Sequence, residues 1–361
     1  MTEPRRVLLA GGGTAGHTSP LLATADALRR LDPTVQITAL GTPRGIETRV
    51  IPEAGYPLEL VPPVPMPRRI NRDLVALPLR LRAAKRAAVE VMERLRPDVV
   101  VGFGGYACVP AYLAARACEV PLVVHEGNAL PGLANRLGAR FAHTVATSFP
   151  DTPIRRGVYI GLPIRRMIST LDRAALRDQA LSEFGLRADL PTLLVTGGSQ
   201  GAQRINQAVL GAADALAEAG IQVLHVVGPK NDVVAPASTL PYVVRAYVDR
   251  MDLAYAAADA VLCRSGSNTV TEVSGLGLPA VYVPLPIGNG EQARNAAGVV
   301  EAGGGLIVPD AELSGAWIQT HLIPLLTDAT RLNAMARAAS GLVRTDADEA
   351  LARMILEAAR R

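Results

Sequence analysis

Short apolar, β-branched runs recur along the whole chain, and alanine-rich stretches of helical period fill the intervals between them. The runs predict strands over 6–11, 35–40, 98–102, 121–125 and 144–147, then over 192–197, 222–227, 242–245, 260–263 and 280–283. Helices are predicted over 17–31, 73–95, 107–118, 203–219 and 291–301, and the stretch 329–361 also reads as helix. Strand–helix–strand alternation of this kind winds a parallel, right-handed sheet covered by helices.

The pattern occurs twice. VLLAGGGTAGHTSPLLATADAL opens the first half and TLLVTGGSQGAQRINQAVLGAADAL opens the second at residue 192; each is an apolar strand, a glycine turn and an amphipathic helix. Between them, SFPDTPIRRGVYIGLPIRR (148–166) is rich in Pro, Gly and Arg and reads as a linker. The expected organisation is an α/β chain of two Rossmann-like, doubly wound domains, 1–162 and 163–344, with 345–361 packing back on the first. Two such domains facing each other would place the carboxyl ends of both sheets around one cleft, where open α/β sheets bind ligands.

Composition sharpens this only slightly. Of 361 residues, 49% are hydrophobic, 4% aromatic and 19% charged, which suits helix-covered parallel sheets and a large core. The net charge is a modest +4. Cys108, Cys118 and Cys263 have neither metal-ligand spacing nor an even count, so a reducing cytoplasm is the expected compartment. The amino terminus reaches its glycines too quickly for a signal peptide. The longest uncharged runs, 99–115 and 273–290, carry several glycines and prolines and read as strand–turn–helix pieces rather than membrane spans.

The turns at 11–16, 102–105, 197–201 and 265–268 each lie between a strand and a predicted helix. Glycine lets a phosphate approach the unpaired N–H groups and partial positive charge at a helix start. A single such turn is equally well explained by tight strand-to-helix packing; four together suggest a multiply charged ligand such as a nucleotide diphosphate. Gly11-x-Gly13-x-x-Gly16 also fits a dinucleotide fingerprint, which demands an acidic residue at the tip of the next strand. VQITAL runs instead into GTPRG, and Glu47 comes too late, so the oxidoreductase reading is demoted. A carboxylate does follow the turn at 265–268: Glu272 lies about one helical turn further on.

Taken in order, GGGTAGHTSP, GFGGYACVP, HEGNALPGLANRL, GLPIR, TGGSQGAQRIN, YVDRMDLAYAAADAVLCRSGSNTVTE and EQARNA closely resemble the MurG family of peptidoglycan glycosyltransferases from about residue 5 to residue 310. The resemblance implies the GT-B fold, with the undecaprenyl-linked muramyl-pentapeptide acceptor on the amino-terminal half and UDP-N-acetylglucosamine mainly on the carboxyl-terminal half. By position it implies that Thr14, Ala15, Gly16, Asn128 and Arg165 contact the donor and that Ser199 lies beside its diphosphate. It further implies that Val248 holds the uracil through its backbone, that Ser267, Asn268, Thr269, Val270, Thr271 and Glu272 take phosphate and ribose, and that Gln292 binds the sugar. Three positions depart from the family pattern: Ala15 replaces a glycine before the histidine, Gly127 stands where HEQN has glutamine, and Leu162 stands where GNP has asparagine.

Transfer from an α-linked UDP sugar to a β-linked product would be a single in-line displacement, needing a base, a stabilised sugar cation and a stabilised leaving diphosphate. His17 is the candidate base, because imidazole accepts protons near neutral pH; orienting the acceptor diphosphate is its competing role. Glu126 is the weaker alternative base. No DxD stands at a strand end, since Asp346-x-Asp348 lies in the carboxyl-terminal helical stretch, so neither a metal nor a cofactor is expected. An epimerase on similar architecture, or a non-catalytic nucleotide- or lipid-binding protein, remains as an alternative.

In PMPRRINRDLVALPLRLRAAKR (65–86), Arg68, Arg69, Arg72, Arg80, Arg82 and Lys85 are interleaved with leucines including Leu74 and Leu77. Such a segment suits an anionic bilayer at the cytoplasmic face of the cell membrane. The competing reading is a solvated helix face, and Pro78 is expected to interrupt the helix. With no interleaved aromatics and no recognised binding module, a nucleic-acid partner is not expected.

Overall fold

The computed structural model describes residues 3–64 and 72–359; in the helix that begins at Arg72, side chains are described from Leu77 onward. Val7 and Leu9 bury into one layer of helices while Leu8 and Ala10 bury into the other, so the first strand is covered on both faces. That two-sided burial is why the parallel strands read as continuous apolar runs instead of alternating ones. The chain divides into two units, Met1–Arg165 with Thr345–Arg361, and Arg166–Arg344.

The first unit runs β1 (Arg6–Ala10), α1 (Ala15–Leu31), β2 (Gln36–Gly41), α2 (Glu47–Glu53), β3 (Leu58–Leu60), α3 (Arg72–Leu95), β4 (Val99–Gly102), α4 (Cys108–Ala117), β5 (Leu122–Glu126), α5 (Leu133–Gly138), β6 (Thr144–Thr147) and β7 (Gly157–Tyr159). Its strands form one parallel sheet in the order β3-β2-β1-β4-β5-β6-β7. The second unit runs α6 (Arg166–Ser169), α7 (Arg173–Phe184), β8 (Thr192–Thr196), α8 (Gln203–Leu210), α9 (Ala213–Glu218), β9 (Gln222–Val226), β10 (Tyr242–Arg245), α10 (Met251–Ala257), β11 (Ala260–Cys263), α11 (Ser267–Gly275), β12 (Ala280–Tyr282), α12 (Glu291–Glu301) and β13 (Gly305–Ile307), followed by helical turns over 315–326 and a helix over Ala329–Ala339. Its parallel order is β10-β9-β8-β11-β12-β13. In both sheets the winding direction reverses beside the first strand, between β1 and β4 and between β8 and β11, and a ligand crevice opens at such a switch.

Several expectations need correcting. The stretch 148–166 is not simply a linker: β7 lies within it and pairs with β6 as an edge strand. Short β3, β7 and β13 extend the sheets beyond the predicted strands. The helix expected over 203–219 breaks at Gly211, whose carbonyl sits so close to Gly315 that a Cβ there would come within 2.6 Å. The helical stretch 329–361 is two helices, Ala329–Ala339 and Ala347–Ala358. Pro78 does not end α3, which runs through it with Pro78 on the exposed side, and α3 meets the core through Ala84, Ala88, Val91 and Met92. An exposed proline is tolerable because water can satisfy the carbonyl it frees.

Within the first unit, the helix Ala347–Ala358 lies against α1 and the sheet through fully buried Leu351, Ala352 and Ile355. Arg30 of α1 donates to Asp348 at 2.6 Å. The Asp346-x-Asp348 pair thus spends its second carboxylate on an ion pair. Among the described residues, no three His, Cys, Asp or Glu side chains are grouped to hold a metal, and no helix is long and apolar enough to cross a membrane.

Candidate active site

At the switch point of the first unit, β1 ends at Ala10, and the chain turns through Gly11, Gly12 and Gly13 before Thr14 caps α1 with extended backbone and no side-chain cap bond. Ala15 opens that helix, a position where alanine is the best helix former, so its departure from glycine costs the backbone nothing. Thr14 and Gly16 are exposed. His17 is half-buried on the first helical turn, and its Nδ1 lies 3.1 Å from the Gly12 carbonyl oxygen. A carbonyl only accepts, so Nδ1 carries the hydrogen and the lone pair resides on Nε2. The Cδ2–Nε2 edge of the ring lies over Gly104, where a Cβ would come within 2.8 Å of Cδ2 and 2.9 Å of Nε2. Burial lowers the pKa of His17 from its ordinary value; the Gly12 hydrogen bond and the charge of Glu47 oppose that shift.

The facing turn is pinned from below. The Cys108 sulfur lies 3.2 Å from the Ala10 carbonyl and 3.1 Å from the Gly104 carbonyl, which share its single S–H, and the Gly104 N–H lies 3.1 Å from the sulfur. Burial pushes this thiol up to about 11, so it stays a protonated tether. Gly105 approaches Gly12 so closely that a Cβ would meet the Gly12 oxygen at 2.4 Å.

Glu126 ends β5 and is buried. Its Oε1 accepts from the Asn128 N–H (2.9 Å), and its Oε2 accepts from the Gly132 N–H (3.0 Å) and the Asn135 side-chain amide (2.9 Å). Burial pushes its carboxyl above the usual range, and these hydrogen bonds pull it back down. Both oxygens therefore staple the loop that carries Asn128. His125 is buried, lies 3.0 Å from Ser148 Oγ, and is lowered to about 4 by burial, so it is a neutral core residue. Arg165 closes the unit with a buried Nε that has no hydrogen-bond partner among the described residues.

The second unit repeats the design with different support. After β8 the chain turns through Gly197, Gly198 and Gly201, with half-buried Ser199 in the loop, and α8 starts without a side-chain cap. Gly201 has φ +72°, and a Cβ there would lie 2.2 Å from the Val227 oxygen. Beneath the loop, Asn206 Nδ2 donates to Val227 and its Oδ1 faces His225 Nε2 at 3.0 Å; His225 Nδ1 meets the Tyr242 hydroxyl at 3.0 Å. His225, lowered to about 4 by burial, is neutral too.

After β11, Gly266 leads into α11, again with no side-chain cap, so the first-turn amides of Ser267, Asn268 and Thr269 have no capping oxygen from the Gly266 position. Val270 and Thr271 are buried and Glu272 is half-buried. Glu272 Oε2 accepts from the Tyr255 hydroxyl at 2.8 Å. Gln292, on the first turn of α12, accepts the Leu285 N–H at 3.0 Å through Oε1, and buried Asn295 donates to the Ser265 carbonyl at 3.3 Å. Val248 lies in the segment between β10 and α10 and is 8% exposed. β8 and β11 are parallel neighbours, so the turns that carry Ser199 and lead into Ser267–Glu272 leave the same edge of the sheet.

Sequence reasoning missed Glu47, Asn135 and Tyr255. The EQARNA motif holds Asn295, but nothing in it marks that residue as the tie between α12 and the Ser265 turn. Of the basic segment, Arg68 and Arg69 lie outside the described residues, as do the side chains of Arg72 and Leu74. Leu79, Arg80 and Arg82 are exposed on α3, while Leu77 and Lys85 are half-buried.

Comparison with known proteins places this geometry. The glycosyltransferase family 28 N-terminal domain matches residues 7–147, and the glycosyltransferase family 28 C-terminal domain matches residues 192–351. The UDP-N-acetylglucosamine--N-acetylmuramyl-(pentapeptide) pyrophosphoryl-undecaprenol N-acetylglucosamine transferase of Nocardioides sp. is 64% identical, over 98% of each chain. Among solved structures, Acinetobacter baumannii MurG superposes with a TM-score of 0.78 at 29% identity, over 98% of this chain and 100% of that one. The calicheamicin glycosyltransferase CalG4 shares the fold with a TM-score of 0.69 at 19% identity, over 100% and 99%. The two Rossmann-like units are those of the GT-B fold, and the chain belongs to the MurG family of glycosyltransferases.

Proposed function

We propose that the chain transfers N-acetylglucosamine from UDP-N-acetylglucosamine to the 4-hydroxyl of the muramyl-pentapeptide on undecaprenyl diphosphate, completing the disaccharide lipid used in peptidoglycan synthesis. The observation that carries this is 64% identity with a transferase of that name along nearly the whole of both chains. In the second unit, the uncapped starts of α8 and α11 offer amide hydrogens to the donor diphosphate, with Ser199 beside them. Glu272, steadied by Tyr255, accepts from the ribose hydroxyls. Val248 pairs with uracil through its backbone, and Gln292, its Oε1 already committed to Leu285, turns its amide N–H groups to the sugar.

Proton transfer falls to the first unit. His17 takes the acceptor hydroxyl's proton at Nε2 as the sugar passes from UDP to the oxygen with inversion. Three features support that role: the Nδ1–H tautomer imposed by Gly12, the depressed pKa that keeps the ring neutral at pH 7, and the glycine under the Nε2 edge. Glu126, with both oxygens held by hydrogen bonds, serves to shape the Asn128 loop. Thr14, Ala15, Gly16, Asn128 and Arg165 complete the contacts from this unit, and no metal enters the reaction.

Incubation with radiolabelled UDP-N-acetylglucosamine, with and without the lipid-linked acceptor, tests the proposal. Label should pass to the lipid only with acceptor; isomerised sugar without acceptor, or bound but intact donor, would refute it. The exposed Leu79 beside Arg80 and Arg82 supports docking on an anionic bilayer at the cytoplasmic face. Neutralising Arg72, Arg80 and Arg82 together should weaken binding to phosphatidylglycerol vesicles by about 1 kcal/mol per charge and leave UDP binding intact.

A further inference from the structure

We propose that Glu47 is a positioning residue for His17, acting through the one peptide unit that joins Gly12 to Gly13; this rests on His17 being the base. A trans peptide points its C=O and N–H in opposite directions, and the chain has no cis peptide among the described residues. On one side of this unit the Gly13 N–H donates to Glu47 Oε2 at 2.7 Å. On the other, the Gly12 carbonyl accepts the His17 Nδ1–H at 3.1 Å. Carboxylate, amide and imidazole thus form a head-to-tail chain in which each dipole strengthens the next.

The rest of the environment argues that this carboxylate is more than a loop staple. Glu47 is fully buried, and among the described residues its Oε1 takes the Thr42 N–H (3.0 Å) and hydroxyl (2.9 Å). No cation pairs with it among the described residues. Glu126 is also buried and held by neutral donors; what sets Glu47 apart is that its hydrogen-bond chain ends on an imidazole, which can take up the charge that balances it. Three glycines make the room: a Cβ on Gly12 would fall 2.3 Å from Oε1, one on Gly45 1.7 Å from Oε2, and one on Gly41 2.7 Å from Cγ.

The missing positive charge is the imidazolium formed when Nε2 takes the proton. The proton stays on Nε2, Nδ1 keeps its own, and the carboxylate stabilises the cation across the peptide. Glu47 is the charged group that acts on the ring among the described residues. The facing turn, Phe103–Gly105, brings no ionisable side chain, and Cys108 behind it is held as a neutral thiol.

The experiment compares wild type with E47Q, H17A and the double variant, and follows the His17 imidazole by NMR titration. E47Q should lower kcat about 10–100-fold, the range for losing a hydrogen bond to a charged group, without raising the KM for UDP-N-acetylglucosamine. Because the carboxylate raises the basicity of His17, its loss should move the His17 titration, and with it the acid limb of kcat, to lower pH. In the H17A background the same change should cost nothing further. An unmoved titration, or an undiminished loss in the H17A background, overturns the role of Glu47. A fully active H17A enzyme removes the base, and the positioning role falls with it. Should E47Q not fold, E47D retains the charge one methylene further away and should shift the titration less, in the same direction; no shift overturns the proposal.

Discussion

The two switch-point loops share a plan and differ in what lies beneath. In both, a strand ends in glycines, the next helix begins without a side-chain cap, and two stretches of backbone touch where no Cβ fits: Gly105 on Gly12 in one, Gly201 on Val227 in the other. Under the first loop sits a buried carboxylate, Glu47, joined through one peptide to a histidine. Under the second sit neutral amides and a neutral histidine: Asn206, Asn231 and His225. A carboxylate directly beneath a diphosphate would repel it, whereas beneath a histidine proposed to become a cation it is an asset. One plan of folding has been given two electrostatic floors, one suited to moving a proton and the other to holding an anion.

The sharpest way to break this comparison is H17A. If the first loop exists for proton transfer, kcat should fall about 10²–10⁴-fold with UDP binding retained, as steady-state kinetics beside calorimetric UDP titration would register. In the wild type, activity should persist below the ordinary histidine value near pH 6.5, because the native ring is harder to protonate. Next comes E272Q in the second unit. Losing a hydrogen bond to a charged group is worth about 1.5–3 kcal/mol, and it should appear as a raised KM and weaker UDP binding, with weaker discrimination between UDP and its 2′-deoxy analogue. A mirror-image result, with H17A affecting only binding and E272Q only kcat, would reverse the assignment of the loops. Smallest, and expected to be alike in both units, are G105A and G201A. Each forces a Cβ onto backbone, where overpacking costs about 1–3 kcal/mol, seen as a lowered midpoint in thermal unfolding.

What was legible in the sequence follows from local physics. Continuous apolar runs ending in glycine announce buried parallel strands and their turns, which is why β1, β4, β8 and β11 and the helices after β1 and β4 are legible in the pattern alone. The resemblance to a glycosyltransferase family rested on the same segments, since side chains at strand ends and helix starts both shape the turn and face the ligand. Short edge strands escaped: β3, β7 and β13 are three residues each, less buried than the equally short interior β12, and they owe their strand conformation to the one neighbour they pair with.

Tertiary structure alone decided the partners. Glu47 looked like a carboxylate too late to meet a ribose, because its meaning lies in a contact with Gly13, 34 residues away. Tyr255 reaches Glu272 across 17 residues from another helix, and Glu126 became a loop staple because β5 delivers it beneath hydrogen-bond donors. The chain by itself determined where strands stop, where backbone bends and which residue types stand ready, since burial and backbone conformation act between near neighbours. Which carboxylate carries a charge beside which histidine is set by distances of a few ångströms between remote segments, and these exist only once the sheets have been wound.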